Sequence, residues 1–189
     1  MRAMDSETIF KLRYSELRDM MDLIKEELRL FNDYAKDAPE SEFLRRLKIR
    51  ILFGCVEANV AHLKASALLM ADNPESLFSR KDMLALQDLE ERTDKTGKVE
   101  IRSARLTLKE NIKLAFRAFG TATKTSFEID FGSEGGATFL KAIPIRDRIV
   151  HPKAAPDWRV TPEDLNTADR AWVWFGEALV RVSNLAVKK

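Results

Sequence analysis

The stretch from Ile49 to Met70 constrains the fold more than any other, because it is apolar on nearly every helical face yet carries Gly54, Glu57, Asn59, His62 and Lys64. Those polar residues make it too polar to span a bilayer. A helix of this kind belongs in the middle of other elements, where its neighbours cover every side. Burial also demands a partner for Glu57, since an isolated carboxylate in an apolar setting costs several kcal/mol or takes up a proton. Two partners suit it: a basic side chain such as Lys64 in an ion pair, or Arg146 or His151 on a neighbouring helix, which it would orient.

The flanking segments supply those neighbours. Upstream, Ile9, Leu12, Leu17, Met20, Met21, Ile24, Leu28 and Phe31 recur at helical spacing, which predicts one long amphipathic helix. Ser6 is its expected N-cap, and Asp37-Ala38-Pro39 stops it, because a residue before proline leaves the α region. The central helix then starts near Glu40 or Ser41 and ends at Asp72-Asn73-Pro74. Arg80 to Glu91 keeps a shorter helical pattern, and Thr93 to Lys98 breaks it. Leu106, Leu108, Ile112, Ala115, Phe116 and Phe119 restore a stripe that Gly120 is placed to end.

Phe127, Ile129 and Phe131 alternate with polar residues, as in a short strand or an extended packing segment. Phe139, Leu140, Ile143, Ile145, Ile149 and Val150 predict another helix, ended by His151-Pro152. Thr161-Pro162-Glu163-Asp164 carries a capping hydroxyl, proline at the first helical position and acids in the first turn, the marks of a helix start. The assembly expected is all-α: an antiparallel helical bundle, with peripheral short helices or a minor extended segment, forming a single domain over residues 1–189.

Charge and cysteine narrow the function classes. Lysine and arginine number 32 against 30 acids, for a net charge of +2, so no global field recruits a polyanion and any such site must be local. No signal peptide is visible, and the lone Cys55 has no disulfide partner in the chain, which points to a reducing cytoplasm. Two histidines and one cysteine, scattered along the chain, offer no transition-metal site, and no cofactor motif is present.

Chemistry concentrates in Ile145-Arg146-Asp147-Arg148-Ile149-Val150-His151-Pro152-Lys153. Proline after His151 releases the imidazole from the helical track. On an unbroken helix Arg146 and His151 diverge by roughly 140°, so a distorted last turn is what lets both reach one groove. His151 moves protons near neutral pH, and Arg146 offers a planar fork to phosphate oxygens. The pair fits metal-independent RNA cleavage, in which the ribose 2′-hydroxyl attacks the adjacent phosphorus. The plainer alternative is a solvated helix face with a local salt bridge.

Arg146-Asp147-Arg148-Ile149-Val150-His151 resembles the motif of the HEPN superfamily, an arginine and a polar residue followed by a histidine. The likeness extends to the His-Pro-Lys ending, the Thr-Pro-Glu-Asp helix start and two long helices upstream. It implies a helical bundle that forms a homodimer with its motif helices face to face, so that two copies of Arg146 and His151 build one cleft. It implies a metal-independent RNase in a toxin or phage-defence role, with Asp147 orienting the arginine or histidine. Other members bind RNA, nucleotide or a protein partner without cutting. Lys153 stands where members silenced by nucleotidyltransferase antitoxins carry tyrosine, a departure that separates this chain from that route.

Further candidates surround the motif. Arg148, Lys153 and Trp158 suit substrate contacts at the rim of a polyanion cleft, and Glu57 and Asn59 suit support from the central helix. The run Arg45, Arg46, Lys48 and Arg50 is a candidate phosphate track or a solvated face. Trp172, Trp174 and His62 are expected to pack structurally.

Overall fold

A computed structural model describes residues 6–71 and 73–187. The chain is 72% helical and carries only a small two-stranded sheet among the described residues, the mostly α architecture that the periodicities predict. In chain order the elements are α1 (Ser6–Asp37), α2 (Glu42–Met70), α3 (Pro74–Leu77), α4 (Arg80–Leu86), β1 (Leu89–Thr93), β2 (Val99–Ser103), α5 (Leu108–Ala122), α6 (Glu134–Val150), a 3-10 turn (Ala155–Trp158) and α7 (Pro162–Val187). They divide into two compact units, Met1–Asn59 with Asp130–Val180, and Val60–Ile129 with Arg181–Lys189.

Helix boundaries follow local chemistry. Ser41 Oγ accepts the backbone N–H of Leu44 at the start of α2. At the start of α7, Thr161 Oγ1 accepts from the Asp164 amide while the Asp164 carboxylate accepts both the Thr161 amide and hydroxyl, satisfying donors a helix start leaves open. The cap expected at Ser6 lies outside the residues whose side chains are described.

In the first unit, Ile24, Leu28 and Phe31 of α1 pack with Leu44, Leu47, Ile51 and Cys55 of α2 and with Trp172 of α7. A second cluster centres on Phe139 of α6, fully buried and ringed by Phe53, Phe131, Trp174 and Phe175 at centroid separations of 5.9, 6.1, 5.3 and 6.0 Å. Burying one such ring contributes about 1.5–3 kcal/mol. Gly135 and Gly136 let α6 begin against this cluster: a Cβ at Gly135 would strike the Trp174 ring, and one at Gly136 the backbone of Asp130 and Phe131.

In the second unit, the Thr107–Glu110 capping box opens α5, which buries Ile112, Phe116 and Phe119. Phe116 packs on Phe127 at 5.6 Å. Gly120 does not end α5 as expected. It sits inside the helix, where its carbonyl accepts the Thr125 amide at 2.7 Å and the following backbone leaves no room for a side chain. Termination comes at Lys124, whose φ of 57° turns the chain away. The segment 127–131 packs extended and forms no strand.

The strands lie elsewhere. The helical pattern expected from Arg80 to Glu91 stops at Leu86, Asp88 takes φ 58°, and an antiparallel hairpin follows with Glu90 opposite Arg102 and Arg92 opposite Glu100. Asp94 builds the turn by accepting the amides of Thr96 and Lys98, with Gly97 at φ 84°. Lys64, buried in α2, bonds Asp88 and the Asn111 carbonyl, anchoring the root of the hairpin.

Candidate functional site

The site lies in the first unit, at the C-terminal end of α6. Ser133 caps the helix start by accepting the Gly136 amide. Val150 is the last helical residue, and His151 caps the end at φ −126° and ψ 59°, with its amide donating to the Asp147 carbonyl. The proline-driven break read from the sequence is therefore in place. Asp147 and His151 stand one turn apart and are both exposed, positions that share a helix face.

Arg146 reaches α2. Its guanidinium pairs with Asp147 at 2.9 Å and with Glu57 through a short charge-assisted hydrogen bond. Glu57 is exposed rather than buried, its side chain 45% accessible, and its counter-ion is the motif arginine. Lys64, the alternative partner, is taken by Asp88. Arg146 is held between two carboxylates with its side chain 20% exposed, a geometry that fixes the plane of its fork before any ligand arrives.

Arg148, two residues on, is used differently. It pairs with Asp164 at 2.7 Å and donates to the carbonyls of Asp157 and Arg159. The structure does not bring it to Arg146. It staples the loop after the motif to the start of α7, which replaces the substrate contact expected of it with an architectural one.

The rest of that loop is pinned in the same way. The Asp157 carboxylate accepts the amides of Lys153 and Ala154 at 2.7 and 3.0 Å. Those two amides hold its carboxyl below the usual range, with the Arg148 and Lys153 charges adding to the effect against a small opposing desolvation. Burial pushes the Asp164 carboxyl up, but the Thr161 amide, Arg148 and the Thr161 hydroxyl outweigh it, so it too lies low.

The run Arg45, Arg46, Lys48 and Arg50 is not a free phosphate track. Arg45 donates to the Val160 carbonyl at 2.7 Å, Arg46 to the Trp158 carbonyl at 2.9 Å, and Arg50 to the Ile149 carbonyl at 3.2 Å, while Lys48 pairs with Asp169. Trp158 receives the Arg46 and Arg50 guanidinium groups over its ring at 5.4 and 5.2 Å. Its indole, 42% exposed, is a seat for these cations rather than an open stacking platform. Arg50 also places a cation on a carbonyl in the last turn of α6, where helix polarity favours it.

Two further expectations resolve separately. Asn59 does not support the motif: its amide donates to the Cys55 carbonyl of its own helix at 2.7 Å. Lys153 keeps its ammonium exposed beside His151. Sequence reasoning missed Asp157 and Arg45 as loop-holding residues, and the available signal was an aspartate following proline in a turn. Compared with family models, curated proteins and solved structures, the chain shows no match. Among the described residues no helix is long and apolar enough to cross a membrane.

Proposed function

We propose that this chain is a HEPN-like, metal-independent endoribonuclease, working as a homodimer in the cytoplasm in a toxin or phage-defence role. The observation that carries the reading is the Arg146 guanidinium, set by Glu57 and Asp147 five residues before an exposed His151 on a broken helix end. In the reaction His151 takes the proton of the ribose 2′-hydroxyl. The oxygen attacks phosphorus, and Arg146 stabilises the charge that builds on the phosphoryl oxygens. The P–O5′ bond breaks and the 5′-oxygen takes a proton from water, to which His151 returns the one it accepted, so the products are a 2′,3′-cyclic phosphate and a 5′-hydroxyl. DNA lacks the nucleophile and is spared.

Gly54 supports the dimer. It lies in α2 one turn before Glu57, exposed, and a Cβ built on it meets no atom within 4 Å. Glycine inside a helix costs about 1 kcal/mol relative to alanine. Packing within the chain does not ask for it, whereas close approach of a second copy over the Glu57–Arg146 pair does.

One observation favours the rival, a module that binds RNA, nucleotide or a protein partner without cutting. The His151 ring makes no side-chain hydrogen bond among the described residues, so no carboxylate orients its tautomer as a general base usually requires. Incubation of the chain with RNA in chelator separates the two. Cleavage that falls by at least about 100-fold in His151→Ala, with dimerisation kept, supports the nuclease. RNA binding without cleavage selects the module, and neither activity sinks both.

A further inference from the structure

The second unit presents an unpartnered sheet edge whose side chains are self-complementary. The amide of Asp94 donates to the Lys98 carbonyl and that of Ala104 to the Asp88 carbonyl. These positions continue the register of the hairpin at either end, and hydrogen-bonded and non-bonded pairs alternate along an antiparallel ladder. Glu100 and Arg102 therefore turn their backbone groups toward β1. Val99, Ile101 and Ser103 turn theirs outward, along an edge that nothing covers among the described residues. Every residue of β2 is exposed, Val99 at 57% and Ile101 at 56%. A lone two-stranded hairpin is marginal in water, and a bare edge invites another strand.

We propose that β2 is the surface through which two copies of this chain join their hairpins into one four-stranded antiparallel sheet, centred on Ile101. Charge selects this occupant and this register. With Ile101 opposite Ile101 of the second copy, Glu100 of each strand faces Arg102 of the other. Within each hairpin Arg92 already faces Glu100 and Glu90 faces Arg102. One row across the joined sheet then reads Arg92, Glu100, Arg102, Glu90, alternating in sign at every step, and the second row is its inverse. On the opposite face the two isoleucines meet between Val99 and Ser103, and Glu91 beside them is neutralised by Arg80 at 2.7 Å.

Other registers fail on charge or on length: centring on Val99 sets Glu100 against Lys98 but runs Ile101 and Arg102 past the strand onto the turn residues Gly97 and Thr96. Centring on Glu100 sets Glu100 against itself and Lys98 against Arg102. Pairing through β1, centred on Glu91, sets that glutamate against itself, and β1 is also the strand that neighbours α4. Like charges directly opposite destabilise a strand pair, whereas opposite charges and paired β-branched residues stabilise it. This surface goes beyond the motif reading and does not depend on it.

Cysteine crosslinking of the full chain tests the register. Residues paired across a hydrogen-bonded site have Cα atoms about 5.5 Å apart, inside disulfide range. Ile101→Cys is expected to form a covalent dimer under mild oxidation, and Glu100→Cys is expected not to. Cys55 stays silent, since burial first and the Glu27 charge second push its thiol up to about 11. Ile101→Lys is expected to lower the sedimentation mass while circular dichroism of the folded chain stays unchanged. Val150→Asp, on the exposed side of α6, should leave the Ile101→Cys crosslink intact, so loss of a motif-face dimer reads out separately. Equal crosslinking at both positions, crosslinking only at Glu100→Cys, or a wild-type chain with freely exchanging Val99, Ile101 and Ser103 amides at high concentration overturns the proposal.

Discussion

The loop after α6 and the β1–β2 hairpin are both short, charged excursions from a helical scaffold, and they use their charges in opposite ways. In the loop, Arg45, Arg46, Arg50 and Arg148 donate to backbone carbonyls between Ile149 and Val160, and Asp157 accepts backbone amides. In the hairpin, Glu90, Arg92, Glu100 and Arg102 face one another on an exposed sheet and leave an edge of backbone unpaired. Side chains that satisfy buried or half-buried backbone groups rigidify a segment, whereas exposed charge pairs add little stability and chiefly set which surfaces are compatible. The loop is built to hold a geometry, and the hairpin to be recognised.

Substituting matched arginines gives the largest contrast. Arg148→Ala removes the cation from the Asp164 carboxylate, 19% exposed, leaving it only its Thr161 bonds, and frees the Asp157 and Arg159 carbonyls, so a loss of about 2–3 kcal/mol is expected. Arg102→Ala in the hairpin removes only exposed pairs and is expected to cost less than about 0.5 kcal/mol in the monomer. Urea unfolding of the two variants side by side measures both. Comparable losses would break the distinction drawn above.

Trp158→Ala sharpens it at smaller scale. Removing the ring deprives Arg46 and Arg50 of their shared seat, at about 1 kcal/mol for partly exposed cation–π contacts. Their bonds to the Trp158 and Ile149 carbonyls persist. Hydrogen exchange should therefore quicken at the Lys153 and Ala154 amides without spreading to α6, and an unchanged exchange pattern would mean the arginines alone set the loop.

Much of this division was hidden in the sequence for a physical reason. The start of α2, the end of α6 and the start of α7 were legible because caps and prolines act within a few residues: Ser41, Pro152 and Thr161 do their work next to where they sit. The Arg146 to His151 motif was legible as a segment. Its anchoring was legible in part: the sequence offered Arg146 or His151 as the group Glu57 would orient, and Arg146 is the one it pairs with, although Glu57 is exposed and burial is not what requires the pair. The basic run looked like surface because its acceptors lie more than one hundred residues away, 115 for Arg45 and 112 for Arg46. The hairpin was missed because Leu84, Leu86 and Leu89 fit a helical period, and the positive φ of Asp88 that ends the helix depends on its tertiary bond to Lys64.

Gly54→Ala sets fold stability against assembly. An alanine fits the open space at that position, so the monomer is expected to gain about 0.5–1 kcal/mol from helix propensity and lost unfolded-state freedom. If a second copy approaches over α2, the same methyl weakens dimerisation and RNA cleavage. Thermal unfolding and sedimentation of the variant report the two effects independently. A chain that is both more stable and equally associated would remove the support Gly54 lends to the motif-face dimer.

The smallest effect concerns pH, because the Asp157 carboxylate is open to solvent and its bonds are screened. Its pKa lies below the unfolded value of about 3.9, since it accepts the Lys153 and Ala154 amides. A depressed pKa adds stability that is fully present above the unfolded value and is lost as pH falls through the folded one. Exchange protection at Lys153 and Ala154 should therefore hold steady from neutrality down to about pH 4 and decline below it. Asp157→Asn should abolish that acid-dependent decline while leaving the hairpin amides unchanged. A decline that begins well above about pH 4 would instead assign control of the loop to a group other than Asp157.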